Sequence, residues 1–433
     1  MKYIIADDLS GANDTGVQFT KKGYRVKVLI FSNQPSIDIP KDIDVIVIDT
    51  ETREVNSAIA QTKIRHILEN ITIDSHDFSY KKIDSTLRGN IGQEIETMMS
   101  VIKKDICLIT PSFPPQGRFT INHTLVIDPD IIPKKQDWTK GYKVKKCKDI
   151  FSLLQEQTSL SIGMIHLDDI RKGQAFICTK IKKLSQRGKK IIIADAVIEQ
   201  DLKKILQSGI HFGPSLLFSG SAGLAAHFPV NESIETDSND LLNEENYPFL
   251  IVAGSRNPVM KEQIRYLKKR LKITELIIRL EPLFSEKEKS IDLYASQCIN
   301  AIQNGQNVLI YTDSNHNENR MVNKKIMLKY QLSFRELEVA IKRALGKITQ
   351  DIAMKVPVNT LILTGGDVAL GVCEAMGIDE LNISKELLPG IPLTKSRYQG
   401  RNLNIITKAG GFGKKKTLYD IVKKLTILEK TRE

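Results

Sequence analysis

Short runs of apolar residues alternate with helix-period segments along the first half of the chain. Runs at 3–6, 26–31, 45–49, 106–110, 162–167, 191–195 and 216–219 read as strands, with a further one at 78–80. Strands this uniformly apolar are buried on both faces, as in parallel sheets, rather than half-solvated. Between them, 57–69, 92–103, 173–186 and 199–207 space their apolar positions as amphipathic helices. Strand–helix alternation of this kind predicts a mostly parallel α/β sheet.

The rhythm breaks after His227. Residues 231–246 hold six carboxylates and no Lys, Arg or Gly, the composition of an exposed linker. Beyond it the alternation restarts, with strands at 249–253, 276–280, 308–312, 361–363 and 403–407, and helices at 257–272, 290–303, 335–355 and 417–428. The chain therefore reads as two α/β domains, 1–230 and 247–433, with a ligand cleft between them and no internal repeat. Its 433 residues suit that division.

Composition narrows the class. Hydrophobic residues make up 41% and charged residues 26%, which excludes wholesale disorder. The longest apolar run is 249–253, far short of the ~18 residues of a membrane span, and Asp7 and Asp8 interrupt any signal peptide. Five cysteines without a CxxC pair predict a reduced, cytoplasmic chain, and seven scattered histidines supply no metal-ligand spacing. The net charge of +12 is spread over helices such as 180–190, with one Trp in the whole chain. Solvated helix faces and attraction of small anions account for it better than a nucleic-acid surface does. A homo-oligomer is allowed, with no signal for its size.

Three constellations carry candidate chemistry. The first is Ala6-Asp7-Asp8-Leu9-Ser10-Gly11-Ala12-Asn13-Asp14-Thr15-Gly16, directly after the first strand. Ligands of open α/β sheets bind beyond the carboxyl ends of strands. Carboxylates there accept hydrogen bonds from sugar hydroxyls while glycines admit close approach. A helix cap by Ser10 or Asp14 is the plainer alternative, but this density of polar groups exceeds what capping needs. The second is Lys81-Lys82-Ile83-Asp84-Ser85-Thr86-Leu87-Arg88-Gly89-Asn90. Here Lys82 suits a carboxylate or phosphate and Asp84 a hydroxyl. Arg53, after the third strand, is a candidate bidentate carboxylate clamp, and Arg118, on the proline-rich loop 111–118, a candidate cleft-lining residue.

The third constellation is a set of glycine turns after strands: Gly254-Ser255, Thr364-Gly365-Gly366-Asp367-Val368 and Ala409-Gly410-Gly411-Phe412-Gly413. None fits the Walker or dinucleotide pattern. Three in one domain nevertheless favour bare backbone amides around a phosphate.

Taken together, ADDLSGANDTGVQF (6–19), KKIDSTLRGNIG (81–92), TPSFPPQGR (110–118), TGGD (364–367) and AGGFG (409–413) resemble the four-carbon acid sugar kinase family over essentially the whole chain. The resemblance implies a sugar-acid-binding N-terminal domain and a nucleotide-binding C-terminal domain, with ATP phosphorylating the 4-hydroxyl of a tetronate, D-threonate foremost. It implies Asp8, Arg53, Lys82, Ile83, Asp84 and Ser85 as substrate contacts. Ser255, Gly365, Gly366, Asp367, Val368 and Gly410 are the implied ATP contacts, with Mg2+ bridging the phosphates. Asp84 is the first candidate for general base and Asp8 the second. D-erythronate and 3-oxo-tetronate are rival substrates, and a sugar-acid sensor without turnover is a rival class.

Overall fold

The computed structural model describes residues 1–31, 40, 42–71, 73–74, 76–127, 147–232, 248–254, 257–312 and 320–430. The chain divides into two compact units, Met1–Thr236 and Asp237–Glu433. The acidic stretch 231–246 lies outside the described residues, apart from Asn231 and Glu232.

The first unit contains strands β1 (Lys2–Ala6), β2 (Val26–Ile30), β3 (Val45–Asp49), β4 (Phe78–Lys82), β5 (Ile106–Thr110), β6 (Arg118–Ile121), β7 (Thr124–Ile127), β8 (Cys147–Asp149), β9 (Ile162–Ile165), β10 (Ile191–Ala194) and β11 (Leu216–Gly220). Eight of them form a wholly parallel sheet in the order β2-β3-β1-β4-β11-β5-β10-β9. The remaining three, β6-β7-β8, form a small antiparallel sheet that the apolar pattern did not announce. The strands of the large sheet are buried over most of their length, as continuous apolar runs require.

The chain leaves β1 for β2 and β3 on one side, then crosses back to lay β4 on the other. That reversal makes the carboxyl end of β1 a topological switch point, where open α/β sheets form a ligand crevice. The opening motif differs from the sequence expectation: a helix starts at Leu9 and runs to Thr20, so Ser10, Asn13, Asp14, Thr15 and Gly16 are helical. Its N-cap is Asp8, whose carboxylate accepts from the Gly11 amide at 2.8 Å.

The second unit contains β12 (Leu250–Ala253), β13 (Thr274–Ile278), β14 (Val308–Thr312), β15 (Thr360–Thr364), β16 (Glu380–Leu388), β17 (Ile391–Tyr398) and β18 (Arg401–Lys408). Its order is β13-β14-β12-β15-β18-β17-β16, parallel from β13 to β18 and antiparallel across the last two pairs. Here β12 is the switch strand, flanked by β14 and β15. Each unit has its own apolar core, one around Ile5, Ile48, Ile95 and Ile193, the other around Ile251, Leu309, Ile362 and Ile406. Among the described residues no helix is long and apolar enough to cross a membrane.

Candidate active site

The carboxyl ends of β1, β3 and β4 bring the first two constellations together. Arg53, delivered by the turn after β3, lies across both opening aspartates. Its Nε and Nη2 donate to Asp7 at 2.9 and 2.7 Å, while Nη2 and Nη1 donate to Asp8, the former at 2.7 Å. Four of the five guanidinium N–H groups are thereby in use. The fork expected to clamp a substrate carboxylate is here held by the two aspartates. Burial pulls the Arg53 pKa down, but the charges of Asp7 and Asp8 outweigh it and hold Arg53 well above its ordinary value. Burial conversely pushes Asp7 up, and Arg53 and Lys81 overcome that to keep its carboxyl below the usual range. The two aspartate side chains are thus fixed in place by Arg53. Gly89, in a left-handed conformation (φ 93°), passes beside it; a Cβ there would stand 3.4 Å from Asp7 and 3.5 Å from the Arg53 backbone.

β4 runs two residues further than its aromatic start suggested, because its pairing with β1 continues to Ala6↔Lys82. Both lysines are consequently buried. Lys81 pairs with Glu94, on the helix Ile91–Val101, at 2.6 Å. Burial raises the Glu94 pKa against the pull of Lys81. Lys82 turns its ammonium to the Ile83 carbonyl at 2.9 Å. That ammonium packs so closely on Gly11 that a Cβ there would meet it at 2.7 Å. Lys82 is buried at the helix start, where its charge helps hold Asp7 ionised. Ile83, expected among the substrate contacts, buries its side chain in the apolar core, so its backbone is the part that faces the site residues.

Asp84 follows in a turn closed by Leu87 N–H to the Asp84 carbonyl at 2.9 Å. Its carboxylate takes Arg88 Nε at 2.7 Å and the Thr86 hydroxyl. Burial raises its pKa, but the Arg88 hydrogen bond and the charges of Arg53 and Arg88 prevail and hold it well below the carboxylate range. Ser85 is half-buried in the same turn. Asp49, wholly buried at the end of β3, is the opposite case. Burial, then the charges of Glu51 and Asp8, push it well above the carboxylate range.

In the second unit the three glycine turns become neighbours, because β12, β15 and β18 are adjacent and parallel. Ser255 lies outside the described residues. Gly254 permits close packing: a Cβ would meet Val368 at 2.3 Å. Val368 is accordingly a buried packing residue. Gly365, with φ 101°, caps the helix Gly366–Met376 and donates its N–H to the Lys408 carbonyl at 2.8 Å. Gly366 is half-buried, and Asp367 is exposed in the first turn.

Lys408 itself is the residue that sequence reasoning passed over, although a lysine closing an apolar strand just before the glycine turn was its signal. It is 2% exposed, and its Nζ donates to the carbonyls of Ala409, Gly410 and Phe412 at 2.9, 3.4 and 3.2 Å. Gln263 adds bonds of 3.0 Å to the Phe412 and Lys414 carbonyls. A trans peptide points its C=O and N–H in opposite directions. Drawing these three carbonyls onto Lys408 therefore turns the N–H groups of Gly410, Gly411 and Gly413 away from it. Such successive free amides form an anion cradle. Burial lowers the Lys408 pKa to about 7.

A polar cluster thus stands at one switch point and a glycine-rich turn organised by Lys408 at another, the arrangement of a two-domain α/β protein with a candidate site in each domain. The comparisons agree. Residues 2–228 match the Sugar-binding N-terminal domain family and 250–418 the Nucleotide-binding C-terminal domain family. The chain is 30% identical to a D-threonate kinase of Salmonella typhimurium over 421 residues, 96% of each chain. It is 26% identical to a 3-oxo-tetronate kinase of Pseudomonas savastanoi, covering 97% of this chain and 96% of that one. A D-erythronate kinase of Heliobacterium modesticaldum is 24% identical, covering 89% and 88%. The fold matches a Haemophilus influenzae crystal structure with a TM-score of 0.70 at 20% identity, covering 97% and 99% of the two chains. The chain belongs to the four-carbon acid sugar kinase family, whose members use ATP.

Proposed function

We propose that this chain transfers the γ-phosphoryl group of ATP to the 4-hydroxyl of a four-carbon sugar acid, with D-threonate its first substrate. The observation that carries the reaction is the pairing of a hydroxyl-accepting cluster around Asp8, Lys82 and Asp84 with the amide cradle at 409–413. The choice of acid rests on the 30% identity to the D-threonate kinase, against 26% and 24% for the other two relatives.

Phosphoryl transfer asks for positioning and charge neutralisation rather than covalent catalysis. Asp84 accepts a hydrogen bond from the 4-hydroxyl and orients its oxygen toward the γ-phosphorus. Its low basicity makes it an acceptor that takes the proton late, as the new O–P bond forms and ADP leaves. Asp8, shared between Arg53 and the Gly11 amide, orients a second hydroxyl. Lys82 neutralises developing phosphate charge. The amides of Gly366, Gly410, Gly411 and Gly413 hold the nucleotide phosphates.

Among the described residues no cluster of three His, Cys, Asp or Glu side chains is placed to hold a metal. Mg2+ is held chiefly by substrate phosphates and water with one or two carboxylates. Asp367 would be the carboxylate, and the ion would offset phosphate charge. The five free cysteines and the use of ATP suit a cytoplasmic enzyme. An ADP-release assay over D-threonate, D-erythronate and 3-oxo-tetronate tests the reading. The expected result is highest kcat/KM with D-threonate. Highest activity with another of the three replaces the substrate, and ADP release with none rejects the reaction.

A further inference from the structure

Among the described residues, the cluster at the sugar-binding switch point contains one arginine that no carboxylate pairs with. Arg53 is filled by Asp7 and Asp8, Arg88 by Asp84, and Lys81 by Glu94. Arg118 is different. Its Nε is shielded from solvent and makes no hydrogen bond, and its guanidinium has no ion pair among the described residues. It nevertheless sits in the field of the site. Burial lowers its pKa, Asp84 and Asp14 draw it up, and Arg88 pushes it down.

The backbone beneath it is rigid. Pro114–Gln116 form a single tight turn, and Gly117 takes a left-handed conformation with φ 67°. Phe113 and Arg118 then close a two-way bridge, with N–H to carbonyl distances of 2.9 and 3.2 Å. One residue back, Ser112 Oγ bonds Thr120 Oγ1 at 2.7 Å and the Ala196 carbonyl at 2.9 Å. Thr120 and Ala196 also exchange backbone bonds of 2.9 and 3.0 Å. The arginine is thus carried on a loop pinned at both ends, which is how a recognition group is pre-organised.

A shielded guanidinium donor left without an acceptor carries an uncompensated desolvation cost, and native structures keep such groups where a ligand completes them. The matching partner is planar and anionic, because the fork of an arginine fits a carboxylate with two parallel bonds. We propose that Arg118 is the residue that reads the carboxylate of the acid, and so separates sugar acids from uncharged polyols. This rests on the substrate reading above and transfers to Arg118 the role that the sequence suggested for Arg53. With the carboxylate held by Arg118 at one end of a four-carbon chain, the hydroxyl at the other end is the one left to Asp84.

The test compares D-threonate with D-threonamide, its uncharged carboxamide, in ADP-release assays on wild type, Arg118→Gln and Arg118→Lys. Loss of a bidentate charged contact should raise KM for D-threonate at least ~30-fold in Arg118→Gln. KM for D-threonamide and for ATP should stay within about twofold, because neither uses the carboxylate contact. Arg118→Lys, which keeps the charge without the fork, should fall between. Equal losses on acid and amide would make the residue structural and overturn the proposal. So would an unchanged KM for the acid, including the case where only kcat falls, which would put Arg118 on the phosphoryl group. If wild type phosphorylates no four-carbon acid, the substrate reading fails separately. Arg118 is then judged by thermal shift with D-threonate and D-erythronate. Stabilisation of wild type that Arg118→Gln abolishes supports the proposal, whereas stabilisation that persists, or none in wild type, overturns it.

Discussion

At the scale of single residues, the site separates groups that are spent from groups that are available. Asp7 and Asp8 share Arg53, and Asp84 is drawn low by Arg88. A carboxylate with a depressed pKa is fully ionised at neutral pH. Its ion-pair contribution is complete above the ordinary value of about 3.9 and fades only as pH falls through its lower folded value. The acid limb of kcat should therefore show no inflection from Asp84 near pH 4. Asp84→Asn keeps the shape and removes the acceptor, so kcat should drop by ~100-fold or more with an unchanged circular dichroism spectrum. Activity near wild type would remove Asp84 from the mechanism. That Asp8, Lys82 and Asp84 lie at strand ends was legible in the sequence, because polar residues there directly follow apolar runs. The saturation of Arg53 was not legible. It depends on β3 lying next to β1, and sheet order is not written in local pattern. The Lys81–Glu94 pair is hidden for a related reason: a strand and the helix after it must pack before residues thirteen apart can meet.

At the scale of elements, buried parallel strands were the readable part. β1, β3, β5 and β14 came out of the apolar runs almost residue for residue, since burial on both faces leaves no polar interruption. β16 and β17 escaped because their buried and exposed residues are mixed along the strand. Their hairpin turns carry the missed signal: Pro389-Gly390, and Gln399-Gly400 with both φ positive, at 49° and 76°. The glycine turn after β18 shows how one side chain can organise a loop. Lys408 titrates at about 7 when buried, against an ordinary 10.5. From about pH 7 to 10 the unfolded chain therefore binds more protons at this residue than the native one does. Raising pH across that window favours the native state through Lys408. Lys408→Met should remove this slope, so the Tm of wild type should rise relative to that of the variant as pH goes from 7 to 9. The same substitution releases the Ala409, Gly410 and Phe412 carbonyls and disperses the amide cradle. KM for ATP should rise ~10–100-fold, as misplacement of positioning groups does. Titration with D-threonate alone should be unaffected. An unchanged KM for ATP would mean that the turn holds its shape without the lysine.

At the scale of the whole molecule, the division of labour follows from two switch points on two separate cores. The proposed acid-binding cluster draws on β1, β3 and β4, all within Met1–Thr236, and the proposed phosphate cradle on β12, β15 and β18, all within Asp237–Glu433. Each unit has an apolar core built from its own strands and helices, the condition for independent folding. Residues 1–236 and 237–433, produced separately, should each unfold cooperatively. Calorimetry should find D-threonate binding only to the first and ATP binding only to the second. Neither piece should release ADP, because transfer requires the acid's hydroxyl and the γ-phosphate to meet in line. The net charge of +12 then acquires a role beyond helix solvation, since both reactants are anions. If steering contributes, kcat/KM of the intact chain should fall with rising ionic strength while kcat at saturation holds. ATP binding to the first piece, or D-threonate binding to the second, would refute the assignment of the two sites and send the search for the acid's partner back to the glycine turns.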